Sequence, residues 1–145
     1  MIGIDTNILL CAVYPKALNH EKAKAILETW KESSDLVIAE LVLVELYQLL
    51  MNPLVIKKKL SASEAVQMIE VFRKNPKWQL VENAPVMDEV WRIAGKDGFA
   101  RRRLFDVRLG LTLQHHGVTQ FATANTKDFM DLGFERVWNP LMEQV

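Results

Sequence analysis

The sequence predicts an α/β fold, a three-layer α/β/α domain on a central, mostly parallel sheet of about four or five strands. Three observations carry that expectation. Short apolar runs such as MIGID, LVIA and VTQFAT alternate with longer stretches of helical periodicity. Proline or glycine closes several of those stretches, as at Pro15, Asn52-Pro53, Asn75-Pro76 and Gly117. The apolar runs are too short to be independent helices and too continuous to be half-exposed strands, which suits a sheet covered on both faces.

MIGID reads as the first strand, and helical signals run from Asn7 to about Tyr14, where Pro15 stops them. Asn19 is placed to cap a second helix, in which Ala23, Ile26, Leu27 and Trp30 form one apolar stripe at i, i+3, i+4 and i+7. LVIA (36–39) is the second strand, and ELVLVELYQLLMN then runs helical up to Asn52-Pro53. Ser61 with Glu64 three residues later is a capping box, opening a helix whose Ala65, Met68, Ile69 and Phe72 make the apolar face. WQLVE is the third strand. Helices are expected from Val86 to Lys96 and from Asp106 to His116, with Gly117 as the C′ residue of the second. VTQFAT is the fourth strand and RVWN a candidate fifth. No repeat, linker or low-complexity segment interrupts the chain, so residues 1–145 are expected to form one domain.

Composition narrows the class. Lys and Arg total 18, as do Asp and Glu, so the formal net charge is zero and any basic surface must be local. The lone Cys11 allows no intrachain disulfide, which fits a reducing compartment. Asp5 interrupts what would be a signal-peptide core, and the most apolar stretch carries Glu40 and Glu45, so no membrane span is expected. A cytoplasmic protein is the expectation.

In open parallel sheets, ligands bind outside the carboxyl ends of the strands. The first strand delivers Asp5, Thr6 and Asn7 to that edge, and the fourth delivers Thr123, Asn125 and, a little later, Asp128. Asp106 opens the helix leading into the fourth strand. Each residue also has a purely structural reading: Asp5 or Thr6 as a helix cap, Asp106 as a first-turn acid, Asp128 as a turn residue. Taken together, clustered carboxylates repel and raise one another's pKa unless a cation neutralises them, and oxygen-only ligands suit Mg²⁺ or Mn²⁺. Glu45 is the odd charge in LVLVELYQLL. With Gln48 and Asn52 it makes a narrow polar stripe, which faces either water or a polar cleft; the wide apolar remainder suggests a contact with a second copy.

Four segments in this order resemble the PIN-domain family of VapC-type toxins: IDTNILL with Asp5, VELYQLL with Glu45, LFDVRLGLTLQHHG with Asp106, and FATANTKDF followed by Gly133 and WNP. The resemblance spans essentially the whole chain. It departs at Asn125, where relatives often carry an acid, and at Ala39 and Val42, where they often carry hydroxyls. The resemblance implies a metal-dependent endoribonuclease, the toxin of a type II toxin–antitoxin pair. Asp5, Glu45, Asp106 and Asp128 are its expected catalytic acids, and Asp5 and Asp106 its ligands to Mg²⁺ or Mn²⁺. Thr6, Asn7, Thr123 and Asn125 would hold those carboxylates by hydrogen bonds. It also implies an RNA substrate, a VapB-like antitoxin and a homodimer or larger assembly.

Arg101, Arg102 and Arg103 precede Asp106 and Arg108 follows it; they read either as phosphate contacts or as local balance for the acids. Lys57, Lys58 and Lys59 read as a solvated loop. His115 and His116, adjacent in sequence, cannot face one metal from one helix face and read as structural. A haloacid-dehalogenase-like phosphatase needs a second Asp two residues after the first, where this chain has Asn7. A phospho-receiver needs an acceptor Asp after its third strand, and WQLVENAP offers none. The remaining rival is a PIN-like module that binds RNA or protein without catalysis.

Overall fold

The computed structural model describes residues 1–58 and 60–142. Lys59, the last of the lysine run, lies outside them. Five strands form one sheet, in the order β3-β2-β1-β4-β5 and all parallel. They are β1 (Ile2–Ile4), β2 (Leu36–Ala39), β3 (Gln79–Val81), β4 (Gln120–Ala122) and β5 (Arg136–Trp138). The helices are α1 (Thr6–Val13), α2 (His20–Trp30), α3 (Glu40–Leu50), α4 (Ala62–Arg73), α5 (Met87–Ala94) and α6 (Leu104–His115). Two 3₁₀ turns, Arg101–Arg103 and Thr126–Asp128, flank the end of the chain that carries β4.

The three inner strands are largely buried under helices, and the edge strands β3 and β5 are each exposed at their first residue. All four residues of LVIA are buried, and so are Ile4, Phe121 and Ala122. From β1 the chain steps outward to β2 and β3, then crosses back to the far side of β1 for β4 and β5. Right-handed crossovers therefore put α1–α4 over one face and α5–α6 over the other. The packing agrees: α1 rests on α2 and α3, α3 on α4, and α5 on α6. The reversal falls between β1 and β4, the position where open α/β sheets leave a crevice.

Gly3 sets how closely α6 approaches that centre. A Cβ there would meet Phe121, Leu113 and Val118 side chains at 3.1–3.3 Å. On the other face, Trp30 and Trp78 join α2 to the start of β3, the Trp78 indole N–H donating to the Trp30 carbonyl at 3.0 Å. Glu40 and Arg73 pair at 2.7 Å between α3 and α4.

Most element boundaries fall within two residues of the sequence expectation, and the candidate fifth strand forms. The capping box at Ser61 and Glu64 has both of its hydrogen bonds. Two expectations are corrected. Asn19 precedes α2 but makes no side-chain cap bond, because its φ of 67° turns it into the left-handed region that asparagine tolerates. The start of α2 is held instead by His20, whose Nδ1 lies 2.7 Å from the Cys11 carbonyl. The last long helix begins at Leu104, so Asp106 sits inside its first turn rather than opening it. Gly3→Val is expected to lower the unfolding free energy by about 1–3 kcal/mol through overpacking under α6, read as a lower urea midpoint at unchanged slope.

Candidate active site

Asp5 ends β1 and is also the N-cap of α1, so the two sequence readings of this residue are satisfied by its two oxygens. Oδ1 accepts the Thr6 N–H at 2.8 Å. Oδ2 accepts the Thr123 hydroxyl at 2.6 Å and the Asn7 amide at 3.3 Å. The carboxylate is only 6% exposed. Burial pushes its pKa above the usual carboxylate range, against the opposing pull of the bonds from Thr123, Thr6 and Asn7.

Thr123 and Asn7 tie β4 to this corner. The Thr123 hydroxyl donates to Asp5 and accepts from the Asn125 N–H at 3.0 Å and the Asn7 amide at 3.4 Å. Asn7 in turn accepts the Ala124 N–H at 3.0 Å through its Oδ1. Thr6 donates to the Val42 carbonyl at 3.3 Å, joining the start of α1 to α3, the helix that carries Glu45. That last partner is invisible in sequence, since a carbonyl has no residue signature.

Glu45 is half-buried on α3, within electrostatic reach of both Asp5 and Asp106. Burial first, then the charges of Asp5 and Asp106, raise its pKa to about 7. Asp106, half-buried in the first turn of α6, is raised to about 6 by burial and by Asp5 and Asp128, with Arg102 and Arg103 opposing. Of the polar stripe on α3, Gln48 is exposed and Asn52 caps a turn by accepting the Leu54 N–H at 2.9 Å. Only Glu45 turns to the acids. Three carboxylates from β1, α3 and α6 thus converge at the crevice between β1 and β4. Among the described residues, no three His, Cys, Asp or Glu side chains stand close enough to ligate one ion directly.

Asp128 is placed differently. It is 3% exposed, and its Oδ2 accepts from Arg102 Nη1 and from the Asn125 amide, both at 2.5 Å. Arg102 chiefly, with Asn125 and Arg103, holds its pKa below the usual carboxylate range despite burial. Arg103 donates to the Asp128 backbone carbonyl at 2.9 Å and to Asp131 at 2.6 Å. Two of the four arginines read in sequence as candidates for phosphate contact therefore direct donors inward. Arg101 is exposed and Arg108 half-buried on α6. Asp131 went unread in the sequence; its one signal is a position three residues after Asp128, in a turn. Lys57 and Lys58 are exposed, and His116 contacts the Glu82 carbonyl at 3.0 Å, away from the acids.

A family model for the PIN domain matches residues 2–135. The chain belongs to the PIN-domain family. Its sequence is 52% identical over 141 residues to ribonuclease VapC24 of Mycobacterium tuberculosis, covering 97% of either protein. Among solved structures, this PIN domain resembles M. tuberculosis VapC20, described as a toxin cleaving the sarcin–ricin loop, with a TM-score of 0.69 at 14% identity over 92% of this chain and 96% of that one. It also resembles FitAcB of Neisseria gonorrhoeae, with a TM-score of 0.66 at 21% identity over 99% and 100% of the two chains. FitAB bound to a DNA fragment gives 0.65 at 18% identity, over 100% and 99%. At these identities the structural likenesses establish the fold.

The raised carboxylates give this PIN domain a pH signature. Folded Glu45 keeps its proton up to about pH 7, whereas an unfolded glutamate loses it near pH ~4.3. Between those values the folded chain binds more protons, so stability falls as pH rises. The melting temperature in EDTA is expected to drop from about pH 5 to about pH 8, and Glu45→Gln to flatten that drop. A wild-type melting temperature that rises across the window would contradict the coupling.

Proposed function

We propose that the chain is a metal-dependent endoribonuclease that hydrolyses RNA phosphodiester bonds, the toxin of a type II toxin–antitoxin pair. The observation that carries this reading is the convergence of Asp5, Glu45 and Asp106 at the sheet crevice, with the pKa of each pushed up. Such a group is negative charge lacking a counterion. The 52% identity to a VapC ribonuclease across nearly the whole chain supports the same reading.

The donor set fits a hard divalent cation. It contains carboxylate oxygens and no thiol or imidazole, which suits Mg²⁺ or Mn²⁺. The absence, among the described residues, of three acids in direct ligating range suits an ion that keeps several of its waters, as Mg²⁺ does. Asp5 and Asp106 would hold it, with Glu45 orienting its waters. Bound there, the ion would neutralise the phosphate and lower the pKa of an attacking water.

The rest of the work belongs to the chain. Thr123, Asn7 and the Thr6 N–H fix the Asp5 carboxylate in one orientation. Glu45, titrating near neutrality, is the acid best matched to accept or return a proton during hydrolysis. Arg101 and Arg108 supply positive charge beside the acids for the RNA backbone.

Partners extend the proposal. Val44 and Val66 are exposed along a groove of about 380 Å³ between α3 and α4, with Leu43 and Ile69 below. This face suits a homodimer contact. A VapB-like antitoxin would present carboxylates to the arginines near the acids. No helix among the described residues is long and apolar enough to cross a membrane, and a cytoplasmic site of action is proposed. The lack of a closed ligand cluster favours one rival, a catalytically silent PIN module that binds RNA or protein.

Cleavage assays separate the two readings. The purified chain, free of any partner, is expected to cut RNA with Mg²⁺ or Mn²⁺ and to stop with EDTA. Asp5→Asn and Asp106→Asn should each lower the rate by at least about a hundredfold while circular dichroism and melting stay near wild type. A wild-type rate in either variant sinks the metal-site reading. Thr123→Val, which removes only the hydroxyl that orients Asp5, should cost about 10–100-fold in rate.

A further inference from the structure

We infer that Asp128 is a positioning residue and not a metal ligand: with Arg102 and Arg103 it forms a charged clamp that fixes Asp106 opposite the Asp5 end of β1. The inference rests on the nuclease reading above and concerns the geometry of the same site.

The bonding of Asp128 sets two guanidiniums against any approaching cation. Oδ2 is shared between Arg102 Nη1 and the Asn125 amide. Oδ1 faces Arg103 Nε at 3.7 Å, and both guanidiniums lie beside the carboxylate. A divalent ion at Oδ2 would have to displace Arg102, and one at Oδ1 would sit against the Arg103 guanidinium.

The clamp joins the two segments that deliver the site. Arg102 and Arg103 lie in the 3₁₀ turn that runs straight into α6, and Asp106 is in the first turn of that helix. Asp128 lies in the 3₁₀ turn just after Thr123 and Asn125. A continuous path results. Asp5 is bonded to Thr123, Thr123 to Asn125, Asn125 to Asp128, and Asp128 to Arg102, which enters the helix of Asp106. Arg103 adds a second hold through the Asp128 carbonyl and Asp131. The clamp closes over a buried charge, so removing either side leaves the other uncompensated. Arg102 is still 60% exposed, so its replacement disturbs the clamp without opening the core.

The test measures Mn²⁺ binding by calorimetry and steady-state RNA cleavage, on the full chain, for Asp128→Asn, Arg102→Ala, Arg102→Lys and the Arg102→Ala/Asp128→Asn double variant. The clamp predicts that Asp128→Asn and Arg102→Ala each weaken Mn²⁺ binding and lower kcat by about 10–100-fold, with KM for RNA unchanged. The double variant should be no worse than the worse single one, and Arg102→Lys should recover most of the loss. Loss of Mn²⁺ binding in Asp128→Asn with wild-type binding in Arg102→Ala would make Asp128 a ligand and overturn the clamp. A raised KM and a weaker salt dependence in Arg102→Ala, with kcat and Mn²⁺ binding intact, would make Arg102 a phosphate contact and overturn it equally. If Asp128→Asn does not fold, the two Arg102 substitutions decide alone. A wild-type chain that neither binds Mn²⁺ nor cuts RNA removes the nuclease reading, and the clamp falls with it.

Discussion

The bond between the Thr123 hydroxyl and Asp5 is the contact on which the rest of the site depends. A carboxylate buried at the end of a central strand is costly unless its oxygens are filled. Here one oxygen is filled locally, by the helix that follows, and the other by a strand far along the chain. The backbone ladder already sets β4 beside β1; the second bond ties the Asp5 side chain to that strand's end, and Asn7 and Asn125 extend the network from that point. Without it the crevice would keep its walls but lose the fixed orientation of its central acid.

Topology and electrostatics act in the same place. The reversal of strand order between β1 and β4 leaves space between two helical layers, and α3 and α6 border that space with one acid each. A structural charge would be neutralised on the spot, as Asp128 and Glu40 are by arginines. Asp5, Glu45 and Asp106 are left with hydrogen bonds or with each other. That imbalance sets the crevice apart from the paired charges elsewhere in the described residues.

The fold was largely readable in the sequence, because strand runs, helical stripes and stop signals are local properties. LVIA and the capping box at Ser61 show this, since each is decided by a handful of adjacent residues. Asn19 shows the limit: its residue type suits a cap, but its left-handed backbone is set by the turn from α1 into α2. The acids could be placed at the sheet edge because strand ends are legible. The inward turn of Arg102 and Arg103 could not be foreseen, since a run of arginines looks the same whether it faces solvent or a buried carboxylate. Asp131, Val42 and the pairing of Asp128 became visible only when distant segments were brought into contact.

The partners in the Thr123–Asp5 bond are 118 residues apart, which gives the site a birth order during synthesis. When β1 leaves the ribosome, one of its flanks has no neighbour until β4 follows. α1 and β2 can already be in place by then, but Asp5 still lacks the hydroxyl that orients it. The crevice is completed only once nearly the whole chain has emerged. A chain whose translation is interrupted before β4 therefore carries Asp5 and Glu45 without a finished site. For a chain proposed to cut RNA, the crevice that would do so takes shape only after β4 has been made.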